Sequence, residues 1–89
     1  MKRIFKYLLS GEQLILPKGS IILSAIEQYG KLVLYALVNT ETKDEERYSI
    51  MVYDTGRPIT TDINYYCFLN TVSLLNGQII THVFYKKDD

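Results

Sequence analysis

The segment from Asp54 to Ile59 combines the residue types of a small anion-binding turn. Gly56 can adopt a positive φ, while Pro58 fixes its own φ and keeps Arg57 out of the helical region. These residues predict a sharp turn after a strand, with Arg57 held extended beside free backbone N–H groups. Arginine binds phosphate through two parallel hydrogen bonds, and the N–H groups of a turn supply further donors. The alternative is an exposed arginine that forms a weak ion pair with Asp54.

Other polar and aromatic residues are candidates for contacts with the same ligand. Lys18, in the turn Pro17-Lys18-Gly19-Ser20, is a second and weaker candidate for an anion contact. Tyr53 and Tyr66 flank the glycine–arginine–proline turn, so their rings are the best placed of the eight tyrosines to stack on a base. The alternative for each tyrosine is packing on the surface of a sheet. The predicted ligand-binding residues are Lys18, Tyr53, Thr55, Gly56, Arg57 and Tyr66.

The chain lacks the residue combinations of common catalytic and metal sites. Cys67 and His82 are the only cysteine and the only histidine, so they form the only possible nucleophile–base pair and cannot build a zinc site. The aromatic neighbours of Cys67 predict a buried, inert thiol, and His82 is expected to be partly buried and to donate to a backbone carbonyl. The carboxylates crowd residues 41–46, where no apolar wall would raise a pKa. We expect a non-enzyme with no catalytic residues, no metal and no cofactor.

The length and the charge balance limit the kinds of partner. The 89 residues include ten basic and ten acidic side chains, so the net charge is zero. Duplex nucleic acid and anionic membranes are bound largely through excess positive charge, so neither is an expected partner. We expect residues 1–89 to form one small β-rich domain. The single cysteine and the lack of a signal peptide or an apolar membrane span favour a reducing cytoplasm.

Alternating apolar residues separated by turn residues predict a series of short strands. The expected fold is all-β, or β with one short helical turn near residues 62–66, arranged as a small antiparallel sandwich or an open barrel of six to seven strands. Residues 40–46 carry five charges and are expected to be the exposed tip of a hairpin. Lys86 to Asp89 are expected to be a solvated tail. The predicted strands are residues 2–9, 13–16, 20–28, 32–39, 47–53, 67–75 and 78–85.

The strand at residues 32–39 is apolar on both faces, from Leu32 to Val38. Such a strand is covered on both sides, which places it at the centre of the fold. A chain of 89 residues hardly supplies two covering layers. We therefore expect a homo-oligomer, either a dimer or a multiple of one, with a two-fold axis.

Five short motifs occur along the chain in a fixed order. They are Phe5-Lys6-Tyr7, Pro17-Lys18-Gly19-Ser20-Ile21-Ile22-Leu23, Leu34-Tyr35-Ala36-Leu37-Val38, Thr55-Gly56-Arg57-Pro58 and His82-Val83-Phe84. In this order and spacing they resemble a family of short, uncharacterised proteins of tailed bacteriophages and prophages. The resemblance covers nearly the whole chain. Tyr35 stands where that family tends to have tryptophan, and Arg57 stands where it tends to have histidine.

The resemblance implies a phage accessory protein. Phage genes of this size frequently counter host immunity, and one class encodes oligomers that sequester the cyclic nucleotide or ADP-ribose signals of bacterial defence. Our leading hypothesis is such a sponge, which acts in the cytoplasm of the infected bacterial host and binds its ligand at a subunit interface. The alternatives are a protein-interaction module that inhibits a host protein through a tyrosine-rich surface, and a minor phage structural or DNA-metabolism factor.

Overall fold

The computed structural model describes residues 1–88, which form seven strands in two antiparallel sheets. The strands are β1 (Lys2–Leu8), β2 (Gln13–Pro17), β3 (Ile21–Gln28), β4 (Lys31–Asn39), β5 (Glu45–Asp54), β6 (Cys67–Leu74) and β7 (Ile79–Lys87). The three-stranded sheet has the order β1-β4-β3, and the four-stranded sheet has the order β2-β5-β7-β6. The predicted all-β fold is confirmed, and the two sheets form a sandwich and not a barrel.

β4 is the central strand of the three-stranded sheet, as its apolar sequence predicted. It pairs with β1 along one edge and with β3 along the other. Leu34, Ala36 and Val38 alternate along one face of β4 and are buried in the core between the sheets. The larger buried side chains of that core come from both sheets, and are Leu16, Leu34, Val38, Ile50, Thr81 and Val83.

The chain passes from one sheet to the other after β4, so the predicted hairpin between residues 32–39 and 47–53 is wrong. Both hydrogen-bonding edges of β4 are occupied, one by β1 and one by β3. β5 therefore has no free edge of β4 to pair with, and it pairs with β2 and β7 in the four-stranded sheet. The charged segment 40–44 connects the two layers of the sandwich.

The edge strands β3 and β6 lie beside each other at one side of the sandwich. Each strand contains a bulge, at Leu23 in β3 and at Leu69 in β6. The side chain of Asn70 crosses from β6 and hydrogen-bonds to the backbone of Ala25 in β3. This side-chain contact joins two edges that do not pair as strands.

The predicted short helical turn is present as a single 3₁₀ turn at Ile63–Tyr65. Asp62 caps this turn, because its carboxylate accepts a hydrogen bond of 3.3 Å from the N–H of Asn64. The turn predicted between β6 and β7 is also present, and both Asn76 (φ 54°) and Leu75 (φ 51°) adopt the left-handed conformation there. Within residues 1–88, no helix has the length and apolar character needed to cross a membrane.

The solvated tail predicted from Lys86 onward is wrong for its first residues, since β7 continues through Lys87. The backbone N–H of Asp88 donates to the carbonyl of Arg47 at 2.8 Å, which extends the contact between β7 and β5. The Ser49 hydroxyl also donates to the Asp88 carboxylate. Asp89, the last residue of the predicted tail, lies outside the described residues.

Candidate functional site

The chain turns sharply after β5, at Asp54–Arg57, as Gly56 predicted. The Arg57 N–H donates to the carbonyl of Asp54 at 3.1 Å, and Gly56 has a φ of 87°. The N–H of Thr55 donates to the carbonyl of Ile80 in β7 at 2.9 Å. Among residues 1–88, the N–H of Gly56 has no backbone acceptor, in contrast to the N–H groups of Thr55 and Arg57. The residues between the end of β5 and Pro58 therefore offer an anion one N–H group.

The Arg57 side chain is exposed and forms no ion pair with any residue in the described part of the chain. The alternative ion pair with Asp54 is thus absent from the structure. Arg57 lines a hollow of about 210 Å³ together with Tyr53, His82 and Phe84. A neighbouring hollow of about 370 Å³ shares Asp54, Thr55 and Arg57 with it and continues along Gln78–Ile80. Arg57 is therefore a cation available to a ligand at the rim of both hollows.

His82 connects the turn to two strands of the four-stranded sheet. It lies opposite Tyr53 of β5 and opposite Thr71 of β6. Its Nε2 atom is 2.8 Å from the hydroxyl of Thr55, and its Nδ1 atom is 2.9 Å from the hydroxyl of Thr71. The expected backbone-carbonyl partner of His82 is wrong, because both ring nitrogens contact threonine hydroxyls.

The hydrogen-bond pattern around His82 indicates which ring nitrogen carries the proton. The Thr55 hydroxyl donates to the carbonyl of Ile80 at 3.2 Å, so it accepts from Nε2–H of His82. In the neutral ring Nδ1 then accepts from the Thr71 hydroxyl. Neither nitrogen of the imidazole is free to bind a ligand. The ring lines the hollow, and its two hydrogen bonds fix its orientation.

Two aromatic side chains complete the hollow. The Tyr53 hydroxyl accepts a hydrogen bond of 3.2 Å from the N–H of Thr61, which anchors the segment after the turn. Hydrogen bonding to the Thr61 side chain is the largest cause that lowers the pKa of Tyr53 below its ordinary value. Phe84 lies two residues beyond His82 on the same face of β7, and its ring meets Phe68 edge-on at 5.4 Å between centroids.

Tyr66 does not line the hollow at Arg57. Its ring lies against Lys86, whose Nζ atom is 5.2 Å from the ring centroid. Lys86 is four residues beyond His82 along β7, or about 13 Å further along the strand. The structure therefore places Tyr66 away from the hollow, with Lys86 against the face of its ring.

Lys18 lies at the other end of the molecule from Arg57. The Lys18 N–H donates to the carbonyl of Asp44, just before β5, whereas Arg57 follows the end of that strand. The length of β5 separates the two residues by about 30 Å. The N–H of Gly19, beside Lys18, is close enough to the Glu46 carboxylate to lower the pKa of that carboxyl. An internal carboxylate therefore already lies at the donor that an anion at Lys18 would use.

Cys67 is exposed, which corrects the expectation of a buried thiol. Tyr66 and Phe68 flank it in sequence, but side chains alternate along a strand, so their rings point away from the face that Cys67 shares with Tyr85. His82 lies on the opposite face of β7 from Tyr85, so Cys67 and His82 do not form a nucleophile–base pair. In the part of the chain that the structure describes, no group of three histidine, cysteine or acidic residues could hold a metal ion.

Comparisons with known proteins give one finding. The model of the family described as "Domain of unknown function (DUF7352)" matches residues 1–89. Neither the curated proteins nor the solved structures contain a match to the chain.

Proposed function

We propose that this chain, which belongs to the DUF7352 family, is a non-catalytic protein that binds a small nucleotide-type anion beside the turn at Gly56. The observation that supports the proposal is the convergence of Arg57, Tyr53 and Phe84 on one hollow of about 210 Å³. An arginine without an ion-pair partner among the described residues suits a phosphate, and aromatic rings that line the same hollow suit a base.

The binding mode follows from the groups around the hollow. Arg57 contacts a phosphate through its planar guanidinium, and the N–H of Gly56 adds one further donor. The base stacks on Tyr53 or Phe84. Asp54 also lines the hollow, and its carboxylate accepts a hydrogen bond from an exocyclic amino group of the base. This last contact favours adenine, guanine or cytosine over uracil.

The volume of the hollow limits how much of a nucleotide ligand one chain can enclose. Pockets that enclose a drug-sized ligand have volumes of about 300–1,000 Å³. The hollow that carries the aromatic side chains is smaller, about 210 Å³, and the neighbouring hollow of about 370 Å³ shares Arg57 with it but has no aromatic residue. One chain therefore surrounds a base or a phosphate and leaves the rest of a dinucleotide exposed. This supports the proposal that the ligand is shared between the subunits of a homo-oligomer.

The biological role that we propose is an anti-defence sponge of bacteriophage origin. The resemblance to short phage and prophage proteins supports it, together with a site that has groups for binding but no catalytic pair. In the infected bacterial cytoplasm, the protein would lower the free concentration of a cyclic nucleotide or an ADP-ribose-type signal. Sequestration of this kind requires affinity and stoichiometric amounts of protein, and no chemical step.

A thermal-shift screen against cyclic dinucleotides, cyclic trinucleotides and cyclic ADP-ribose isomers tests the proposal. A ligand at 100 times its Kd stabilises a protein by about 2.7 kcal/mol, which is several degrees for a domain of this size. Arg57→Ala should remove the shift, and Arg47→Ala, at an exposed arginine near the other end of β5, should retain it. If no compound produces a shift in the wild-type protein, the nucleotide proposal is wrong.

The second candidate is a protein-interaction module that inhibits a host protein. Two tyrosines favour it, since Tyr29 is 93% exposed and Tyr65 is 73% exposed. Exposed tyrosines are frequent anchors of protein interfaces. This candidate predicts that no nucleotide binds, and that Tyr29→Ala or Tyr65→Ala weakens the biological effect while Arg57→Ala does not.

A further inference from the structure

We propose that two copies of this chain associate by pairing β1 with β1 in an antiparallel arrangement, about a two-fold axis at Phe5. β1 is an open edge of the three-stranded sheet, and within residues 1–88 it pairs only with β4. Apolar side chains on both of its faces are exposed, with Ile4 at 59%, Phe5 at 44% and Leu8 at 51%. An open edge strand with exposed apolar side chains is a template for another strand, and the basic residues of β1, Lys2, Arg3 and Lys6, restrict the registers in which it can pair. The inference does not depend on any ligand.

The free backbone groups of β1 belong to its even-numbered residues. The carbonyl of Met1 accepts from the N–H of Thr40, and the N–H of Leu9 donates to the carbonyl of Leu32. Odd-numbered residues therefore direct their hydrogen bonds toward β4, and the alternation of a strand directs those of the even-numbered residues outward. The outward residues are Lys2, Ile4, Lys6 and Leu8.

The outward backbone groups of β1 allow several antiparallel registers between two copies, and the charged side chains favour one of them. A two-fold axis at Ile4 would place Lys2 opposite Lys6 of the second copy, and an axis at Lys6 would place two copies of Lys6 face to face. Like charges directly opposite each other destabilise an antiparallel pair. An axis at Phe5 avoids both contacts, because Lys2 then faces Leu8 and Ile4 faces Lys6.

The register centred on Phe5 also gives the most complete pairing. It aligns all seven residues of β1 with those of the second copy and forms roughly eight backbone hydrogen bonds. On the face that carries Phe5, the two Phe5 rings lie opposite each other, and Arg3 faces Tyr7. Aromatic pairs and cation–aromatic pairs both stabilise neighbouring strands. Each copy contributes the same surface, as a closed two-fold dimer requires.

The edge strands β3 and β6 contact each other across the sandwich, and the remaining edge strand, β2, is less suited to pairing than β1. β2 is the edge of the four-stranded sheet and has only five residues. The carbonyl of Glu12 accepts from the N–H of Ile50, so the odd-numbered residues of β2 direct their backbone groups outward. Pro17 is one of these residues and has no N–H to donate. The edge at β1 is thus the longer one and the one with a complete set of donors.

The first test is the mass of the wild-type protein by light scattering at micromolar concentration. We expect twice the 10.3 kDa of one chain. Phe5→Lys should give the mass of a single folded chain, because two ammonium groups would meet at the axis. Ile15→Lys, at a residue of β2 that is 47% exposed, should leave the dimer intact. A wild-type protein with the mass of one chain, or a Phe5→Lys protein with the mass of two, would overturn the proposal.

The second test examines the register and does not require Phe5→Lys to fold. In a Cys67→Ser background, which removes the exposed free thiol, Phe5→Cys should cross-link under mild oxidation. Opposite residues of a non-hydrogen-bonded pair have Cα atoms about 4.5 Å apart, within the ~4.4–6.8 Å that a disulfide spans. Leu8→Cys should not cross-link, because the two copies of residue 8 lie about 20 Å apart in this register. Cross-linking of Leu8→Cys but not Phe5→Cys would show that the register is wrong.

Discussion

The side-chain amide of Asn70 hydrogen-bonds to both backbone polar groups of Ala25, as a neighbouring strand would. Its Nδ2 atom donates to the Ala25 carbonyl and its Oδ1 atom accepts from the Ala25 N–H, each at 2.8 Å. Ala25 is only 1% exposed, so water has little access to these two groups. A buried backbone group without a partner costs free energy, and this one side chain satisfies two such groups.

Asn70→Ala should therefore lower the free energy of unfolding by about 2–6 kcal/mol, because each of the two buried groups left unsatisfied costs about 1–3 kcal/mol. The measurement is urea denaturation of the purified protein. Asn64→Ala is the matched control, since Asn64 is exposed in the 3₁₀ turn and should change stability by about 0.5 kcal/mol or less. Equal stability of the two variants would mean that the backbone of Ala25 finds other partners.

Thr81→Val should stabilise the protein by about 1 kcal/mol, the lower end of the cost of an unsatisfied buried group. Thr81 is fully buried, and its hydroxyl has no hydrogen-bond partner among residues 1–88. Valine has nearly the same shape and no polar atom. Thr71→Val is the control that removes a hydroxyl with a partner, His82, and it should give no gain. Thermal denaturation of both variants measures their stability relative to the wild type. A loss of stability in Thr81→Val would contradict the prediction.

The local sequence predicted where the strands and turns lie, but it did not predict which strands pair with each other. Gly56 and the Asn76–Gly77 pair mark turns, and apolar alternation marks strands, since both depend on adjacent residues. Whether β4 offers a free edge to β5 depends on β1 and β3, which lie far from β5 in sequence. The expected hairpin across residues 40–46 failed for this reason.

The candidate site was predictable only in the part that belongs to one continuous segment. Tyr53, Thr55, Gly56 and Arg57 come together because they follow one another at the end of β5. His82 and Phe84 join them because β7 pairs with β5, and no pattern within β7 identifies its neighbour. Side chains alternate along a strand, so the sequence does place Ile80, His82 and Phe84 on one face of β7, and this is its one signal for these residues. Lys86 and Lys87 were expected in a solvated tail, but Lys86 contacts the Tyr66 ring and Lys87 pairs with Glu46.

The stability of the protein should fall in acid through Glu46. Burial raises the pKa of this carboxyl, but hydrogen bonds from the Gly19 N–H, the Tyr48 hydroxyl and Lys87 outweigh burial and lower the pKa below the ordinary value of 4.5. A carboxyl whose pKa is lowered by folding stabilises the protein above the pKa of the unfolded chain, and that stabilisation is lost as the pH falls through the folded-state pKa.

We therefore expect the free energy of unfolding to decrease as the pH falls below 4.5, with a shallower decrease in Glu46→Gln. Urea denaturation at a series of pH values measures both slopes. Glu45→Gln, at an exposed neighbour in the same strand, is the control and should keep the wild-type slope. Parallel slopes for the wild type and Glu46→Gln would show that other carboxylates cause the acid dependence.

Substitutions of Arg57 separate a role in binding from a role in folding. The side chain is exposed and has no ion-pair partner in the described residues, so Arg57→Ala should change the free energy of unfolding by about 0.5 kcal/mol or less. The same variant should abolish the thermal shift produced by a nucleotide ligand. Arg57→Lys should recover part of the affinity, because an ammonium group keeps the charge but lacks the planar fork that matches two phosphate oxygens. If Arg57→Ala unfolds the protein and the wild type shows no ligand, Arg57 serves to hold the turn and the anion-site interpretation is wrong.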